Sequence, residues 1–280
     1  MNSLPNAVSQ IVDEEQLPSG TLAAAIREVD VLPGQLALWF LGQNGFIVKS
    51  PAGTTVAIDP YLTNSCEAKI STGTLNLARC LPVPIQPQAL YVDYYLVTHS
   101  HEDHLDEQTV RSLRCKPVFL APWQAYRRLL SFGIPPERCI LLHPADHHAL
   151  ADLSLDVTFA LPTDSTDLNH VGLLLTSGSG VSFYNTGDTA YAEGLPPLLP
   201  HDVDVCAICI NGKFNNLGAS QAASVVSIIR PRVVIPTHYD MMVCNLADPN
   251  EFNNILRQSS LPARLHIMRC GELYLVNKAV

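Results

Sequence analysis

The stretch VTHSHEDHLD, residues 97–106, places three imidazoles and three acids directly behind YYLV, a strand-like apolar run. In an extended chain the side chains of residues i and i+2 face the same side, so His99 and His101 can bind one metal ion. Asp103 and His104 lie one step further along and can reach a second ion. Imidazole suits zinc, iron and manganese, and a carboxylate makes a site harder. The spacing therefore predicts a two-metal site rather than a solvated polar loop.

Two later segments offer further ligands at the ends of strand-like runs. FYNTGDT places Asp188 in a glycine-containing turn, and VVIPTHYD places His238 just past apolar residues. Each signal is weak alone, but together with the histidine cluster they indicate that distant segments complete one site. Two divalent ions lower the pKa of a shared water toward neutrality, and the resulting hydroxide can attack a carbonyl carbon or phosphorus. Asp103 could then carry a proton toward the leaving group, and His104 is a second candidate catalytic residue.

The elements that must position these residues fall into two similar halves. In each half, strand-like segments follow one another, with helical segments between and after them. Two sheets packed face to face, with helices outside, would bury the apolar faces of all these elements. We therefore expect an α/β fold and a single domain over residues 1–280, with residues 1–30 as an N-terminal helical extension.

The composition of the chain limits the kinds of molecule that it can bind. The chain of 280 residues has 26 acids, 17 bases and a formal net charge of −9, which argues against binding long nucleic acid. A small substrate, even an anionic one, remains compatible with a local metal centre. We expect no membrane span, because no run of about 18 apolar residues is present. The first thirty residues do not read as a signal peptide, and eight cysteines in a chain of this length favour reduced thiols and a cytoplasmic location. Cys206 and Cys209 are expected as packed thiols.

The motifs H-x-H-x-D-H, a Gly-Asp turn and a late strand-end histidine, in this order, resemble the metallo-β-lactamase superfamily. The segments LALWFLGQNGFIVKS, VTHSHEDHLD, YNTGDTAY and VVIPTHYDMMVCNLADPNEF are similar in order and spacing to its L-ascorbate-6-phosphate lactonase branch. The resemblance covers nearly the whole chain from about residue 10. It implies an αββα sandwich with two metal ions at one edge of the two sheets.

The resemblance also implies metal-binding roles. His99 and His101 would hold the first ion, Asp188 would bridge, and the second ion would be held by Asp103, His104 and His238. One more ligand of the first ion is expected before Asp188. Asp164 in PTDST is our choice, because the lactonase branch resembled here places an acid there and Asp164 follows an incoming strand; His170 is the alternative. Two imidazoles plus two carboxylates favour Mn²⁺, with Zn²⁺ as the other candidate.

The remaining expectations concern residues that hold the metal ligands in place or contact the substrate. Asp59 in VAIDP would orient a ligand histidine through its other nitrogen, and Asn44 is a further candidate for support or substrate contact. Lys213, Asn215 and Asn216 could meet a substrate phosphate. The resemblance implies a lactone of a sugar acid, such as L-ascorbate 6-phosphate, as substrate.

Three alternatives stay open at this point. One is a small-molecule or phospholipid phosphodiesterase in the same fold. Another is a metal-binding protein without turnover. The third is a di-iron oxidase, in which glutamate would replace the second histidine of the motif, and His101 speaks against it. The sequence leaves a homo-oligomer possible.

Overall fold

The computed structural model describes residues 21–193 and 199–278. The helices in this part of the chain are α1 (Leu22–Glu28), α2 (Ser65–Ile70), α3 (Glu107–Ser112), α4 (Trp123–Ser131), α5 (Ala219–Ile229) and α6 (Pro249–Gln258). The strands of the first half are β1 (Gln35–Gly42), β2 (Gly45–Lys49), β3 (Thr55–Ile58), β4 (Tyr94–Leu96), β5 (Val118–Ala121) and β6 (Cys139–Leu141). They are followed by β7 (His147–Leu150), β8 (Leu153–Phe159), β9 (Val171–Ser177), β10 (Ser182–Asn185), β11 (Val205–Cys209), β12 (Val233–Thr237), β13 (Arg264–Leu265) and β14 (Leu273–Asn277).

The strands form two seven-stranded sheets, the first built from β1 to β6 and the last strand β14, the second from β7 to β13. The first sheet has the order β14-β1-β2-β3-β4-β5-β6, and the second has the order β13-β12-β11-β10-β9-β8-β7. In the first sheet, β3 to β6 run parallel and the strands from β14 to β3 run antiparallel. In the second sheet, β10 to β13 run parallel and β7 to β10 antiparallel. Each sheet is therefore half antiparallel and half parallel.

The layers follow from where the apolar side chains are buried. The central core lies between the sheets, where the Phe46 ring is 5.1 Å from both Phe40 and Phe183. A second cluster packs the outer face of the first sheet against α1, α3 and α4, and a third packs the second sheet against α5 and α6. β1 is buried from Leu36 to Gly42 because both of its faces are covered. The predicted αββα sandwich is confirmed.

One edge of the sandwich gathers the loops that matter for chemistry. β3, β4, β10, β11 and β12 all end there, and the β1–β2 turn lies beside the end of β3, since Phe46 pairs with Ile58. β9 runs antiparallel to β10, with Leu173 opposite Asn185, so the start of β9 lies at the same edge. The fold thereby brings together residues that are up to 195 positions apart in the sequence, as in the contact between Gln43 and His238.

Residues 1–20 of the expected N-terminal extension lie outside the described residues, whereas α1 packs on the first sheet. The buried Lys49 ammonium donates to the carbonyl oxygens of Ile26, Arg27 and Val29 at the end of α1.

Cys206 and Cys209 are buried free thiols in β11. Among the described residues, every helix is too short or too polar to cross a bilayer.

Candidate metal centre

The histidine-rich segment leaves β4 at Leu96 and is fixed at its middle by two distant side chains. The Asp167 carboxylate accepts a hydrogen bond from the Ser100 amide over 2.7 Å. The Arg128 guanidinium donates to the Ser100 carbonyl and to Glu102 Oε2, the latter over 2.6 Å. Because its backbone is held from both sides, the segment presents its histidines in a defined arrangement.

One group of potential ligands consists of His99, His101 and His170, whose ring nitrogens lie within 4.8 Å of one another. The rings of His99 and His170 stack with centroids 4.0 Å apart. His170 is buried, and its Nδ1 lies 2.9 Å from the backbone carbonyl oxygen of Asp188. That contact places the proton on Nδ1 and leaves a lone pair on Nε2.

Asp164 lies at the margin of this group rather than in it. Its side chain is 48% exposed, and Oδ1 accepts hydrogen bonds from the Thr166 amide and hydroxyl over 2.7 and 2.6 Å. Its Oδ2 is 3.4 Å from His101 Nε2. The structure therefore groups His170 with both His99 and His101, whereas the expected ligand Asp164 lies beside His101 at the margin. The expectation assumed that ligands follow incoming strands, but β8 already ends at Phe159, and His170 enters the site from the start of the antiparallel strand β9.

A second group consists of Asp103, His104 and His238, and Asp188 lies between the two groups, close to His99 and His104. His238 Nε2 is 3.2 Å from Asp103 Oδ2 and 3.1 Å from Asp188 Oδ2, and His104 Nε2 is 3.6 Å from Asp103 Oδ2 and 3.4 Å from Asp188 Oδ1. Tetrahedral ligands with bonds of 2.0–2.2 Å to one ion are separated by about 3.3–3.6 Å. The second group thus fits a divalent ion closely.

Buried polar atoms without hydrogen-bond partners support the same interpretation. Among the described residues these atoms include His104 Nε2, His170 Nε2 and Asp188 Oδ1. Leaving such atoms unpaired in the interior costs free energy, and cations bound at the two ligand groups would satisfy all three. The donor set of imidazoles and carboxylates is one that zinc, manganese and iron accept.

Asp59 lies behind His104, at the end of β3, where it is fully buried. Its Oδ2 is 2.7 Å from His104 Nδ1, and it accepts hydrogen bonds from the Thr98 amide and the Asn44 side chain, each over 2.8 Å. Asp59 therefore fixes the His104 ring and directs Nε2 toward the other ligands. The Asn44 carboxamide acts one contact further out, because it holds Asp59.

Two carboxamides hold the two acidic members of the site. Asn216 Nδ2 donates to Asp188 Oδ2, and Gln43 Nε2 donates to Asp103 Oδ2, each over 2.7 Å. Gln43 is not predicted by the sequence motifs, and Asn216 is expected from them only as a phosphate contact. A turn between two buried strands that carries consecutive polar residues, as in LGQNGF, was the available signal.

The expected phosphate contacts lie on the loop after β11. Lys213 and Asn215 are exposed, and the Lys213 ammonium donates to the Leu246 carbonyl over 3.2 Å. This contact joins the loop to the segment that follows His238. Lys213 thus remains accessible near the rim, whereas the neighbouring Asn216 is buried against Asp188.

The charges at the site are set by burial and by mutual pairing. Burial alone would lower the pKa of His238, but the Asp188 and Asp103 carboxylates outweigh it and raise that pKa to about 9. Burial also acts to lower the pKa of His104, but the Asp188, Asp103 and Asp59 carboxylates raise it well above its usual value. The pKa of Asp188 is held low against the effect of burial by these two imidazoles. For His99, burial and three neighbouring histidines lower the pKa.

Comparison with known proteins identifies the family of the chain. A family model described as a β-lactamase superfamily domain matches residues 37–238. The chain is 30% identical over 239 residues to a metal-dependent hydrolase of Hyperthermus butylicus, covering 84% of this chain and 97% of that protein. It is 27% identical over 270 residues to a probable L-ascorbate-6-phosphate lactonase of Salmonella paratyphi B, covering 81% and 75%.

A solved structure gives the same result for the fold. Igni18, a metallo hydrolase of the archaeon Ignicoccus hospitalis, superimposes with a TM-score of 0.68 at 24% identity and covers 88% of this chain and 100% of its own. The resemblance seen in the sequence motifs is thereby confirmed. The chain belongs to the metallo-β-lactamase superfamily, in a branch similar to the L-ascorbate-6-phosphate lactonases, and is a metal-dependent hydrolase.

Proposed function

We propose that the protein opens the lactone ring of a sugar acid with water activated by two divalent ions. His99, His101 and His170 would hold the first ion, Asp103, His104 and His238 the second, and Asp188 would bridge them. The observation that carries this proposal is the position of Asp188, whose two oxygens face His104 Nε2 and His238 Nε2 at 3.4 and 3.1 Å.

The ions, when bound, would supply a hydroxide at neutral pH and stabilise charge on the substrate oxygen. The protein's own residues account for the remaining steps. Asp59 holds His104, and Asn216 holds Asp188, so the ligands do not have to reorganise during the reaction. Asp103 is 18% exposed, so its carboxylate can reach the reacting groups. It is therefore the candidate to take a proton from the attacking water and to deliver one to the leaving alkoxide.

The lactone assignment is supported by the similarity to the Salmonella lactonase over 81% of this chain. Lys213 is the proposed contact for a phosphate on that substrate, with Asn215 beside it on the same loop. Because the chain is negative overall, a local cation such as Lys213 would add to the attraction that the ions exert on an anionic substrate.

The proposed ligand set also bears on the metal. With His170 in the place expected for Asp164, the first ion would have three imidazoles and one bridging carboxylate. Imidazole-rich sets suit zinc, whereas sets richer in carboxylate suit manganese. We therefore propose Zn²⁺ ahead of Mn²⁺ for this chain, which reverses the preference expected from Asp164.

Hydrolysis assays on ion-loaded protein test the function directly. A panel of sugar-acid lactones, with and without phosphate, should be opened in an ion-dependent manner, while a matched panel of phosphodiesters should not react. Turnover of the diesters alone would replace the lactonase proposal with a phosphodiesterase. Tight binding of two ions without turnover of either panel would favour a metal-binding protein.

A further inference from the structure

Gln43 occupies a backbone position that is unfavourable for its own side chain. It is the first residue of the two-residue turn between β1 and β2, and its φ is +56°. Glycine, asparagine and aspartate are the usual residues at positive φ in such turns. Glycine has no Cβ to crowd the backbone, and the short side chains of asparagine and aspartate offset the crowding with local hydrogen bonds. A glutamine at this strained position therefore indicates a role for its carboxamide.

That carboxamide is buried between two members of the second ligand group. Gln43 Nε2 donates to Asp103 Oδ2 over 2.7 Å and lies 2.9 Å from His238 Nε2. The Gln43 backbone carbonyl also accepts the His238 amide over 2.8 Å. His238 has a φ of +60°, so two non-glycine residues in the left-handed region hold each other at the site.

We propose that Gln43 is a positioning residue for the second ion's pocket, and that it acts by fixing the Asp103 carboxylate. This inference rests on the proposed metal centre. In the described part of the chain, the side-chain hydrogen bonds of Asp103 run to Gln43 and His238. Because Asp103 is the most exposed member of the second group, it is the ligand of that group with the most freedom to turn away. A neutral N–H donor restrains it without adding charge that would compete with the ion.

The test is ion binding rather than turnover. Protein stripped with a chelator is titrated with Zn²⁺ or Mn²⁺, and the bound ions are counted at fixed free ion concentration. Gln43→Gly removes the carboxamide and relieves the backbone conformation. It should lose the second equivalent first and bind it at least about tenfold more weakly, as is typical when a supporting contact of a ligand is removed. In a His101→Ala background, which weakens the first site, the same loss should appear alone.

The matched control is Ala151→Gly. Ala151 has a φ of +55° in the β7–β8 turn and lies outside the site, so it reports the effect of glycine at positive φ. It should leave both ion affinities unchanged within about threefold. The metal-free Gln43→Gly protein should unfold within a few degrees of the unmodified protein, which separates loss of the contact from loss of the fold.

A double-mutant cycle tests the route of action. In an Asp103→Asn background, Gln43→Gly should cause no further loss of Zn²⁺ affinity beyond about threefold, because the residue acts through that carboxylate. A full further loss would overturn the positioning role. So would unchanged or tighter ion binding by Gln43→Gly alone, the latter meaning that the carboxamide merely fills the pocket. If the unmodified protein binds no ion, the metal centre fails and this inference fails with it.

Discussion

His170 and Asp188 are tied together by a contact that involves the backbone of one and the ring of the other. His170 Nδ1 lies 2.9 Å from the Asp188 carbonyl oxygen, while the Asp188 side chain points to His104 and His238. The Asp188 carbonyl thus directs the free nitrogen of His170 toward the first ligand group, while the Asp188 carboxylate faces the second group. This link explains how the two groups keep a fixed spacing.

The first prediction separates His170 from Asp164. His170→Ala should remove a ligand and weaken the first ion by at least about a hundredfold. Asp164→Ala removes an exposed side chain that is bonded to Thr166. It should weaken binding of the first ion by less than about tenfold, below the roughly 10–100-fold typical for loss of a supporting contact. Isothermal titration with Zn²⁺ measures both. A larger loss in Asp164→Ala than in His170→Ala would restore the ligand set expected from the sequence.

Asp188→Asn offers a comparison within the same experiment. Because Asp188 contacts members of both groups, its neutralisation should weaken both ions. His170→Ala should weaken mainly the first. Equal patterns of loss in the two variants would remove the bridging assignment.

The sequence predicted the layers of the fold and most of the residues at the metal edge for clear physical reasons. Consecutive apolar strand segments must pair, and ligands such as His99 and His238 directly follow apolar runs that end at one edge. His170 is only the alternative from the sequence, because it precedes an outgoing strand whereas Asp164 follows an incoming one and matches the acid of the lactonase branch. In the structure, the antiparallel pairing of β9 with β10 places the start of β9, and with it His170, at the metal edge. The role of Gln43 could not be predicted from the sequence, because its contact with His238 joins residues 195 positions apart and no local pattern indicates it.

A second prediction concerns the support of His104. Asp59→Asn replaces the oxygen that faces His104 Nδ1 with either a weaker acceptor or an N–H group. The ring then loses its fixed proton position, and the affinity for the second ion should fall by about 10–100-fold. Competition with a chromogenic chelator gives the affinity. Asn44→Ala, one contact further out, should show a smaller loss of the same kind, and a larger loss in Asn44→Ala would contradict this hierarchy.

A third prediction follows from the charges of the ion-free site. The carboxylates raise the pKa of His238 to about 9, above its usual value of 6.5, so its pairing stabilises the fold fully below pH 6.5. That contribution is lost as the pH rises through 9, and ion-free protein should become less stable over this window in chemical denaturation. Ion binding must displace the same protons, so affinity should rise with pH across the window.

Proton release gives an independent measurement of this effect. The heat of Zn²⁺ binding at pH 7 should depend on the ionisation enthalpy of the buffer, because His238 and His104 lose protons to the solvent. The dependence should shrink at pH 10. The Asp103 and Asp188 carboxylates, whose pKa values are lowered by these imidazoles against the effect of burial, should contribute no protons at either pH. Identical heats in all buffers at pH 7 would mean that the ligand histidines are neutral before the ion binds.

The last prediction tests the substrate contact. Lys213 is exposed on the loop after β11, and the ammonium is engaged by a single carbonyl, that of Leu246, among the described residues. If it meets a substrate phosphate, Lys213→Ala should raise KM about tenfold for a phosphorylated lactone, the loss expected for one charged hydrogen bond. KM for the unphosphorylated lactone and kcat for both should stay within about twofold. Lys116→Ala removes an equal charge from the exposed residue before β5 and serves as the control. An equal change in KM for both lactones would show that Lys213 holds the loop instead of the phosphate.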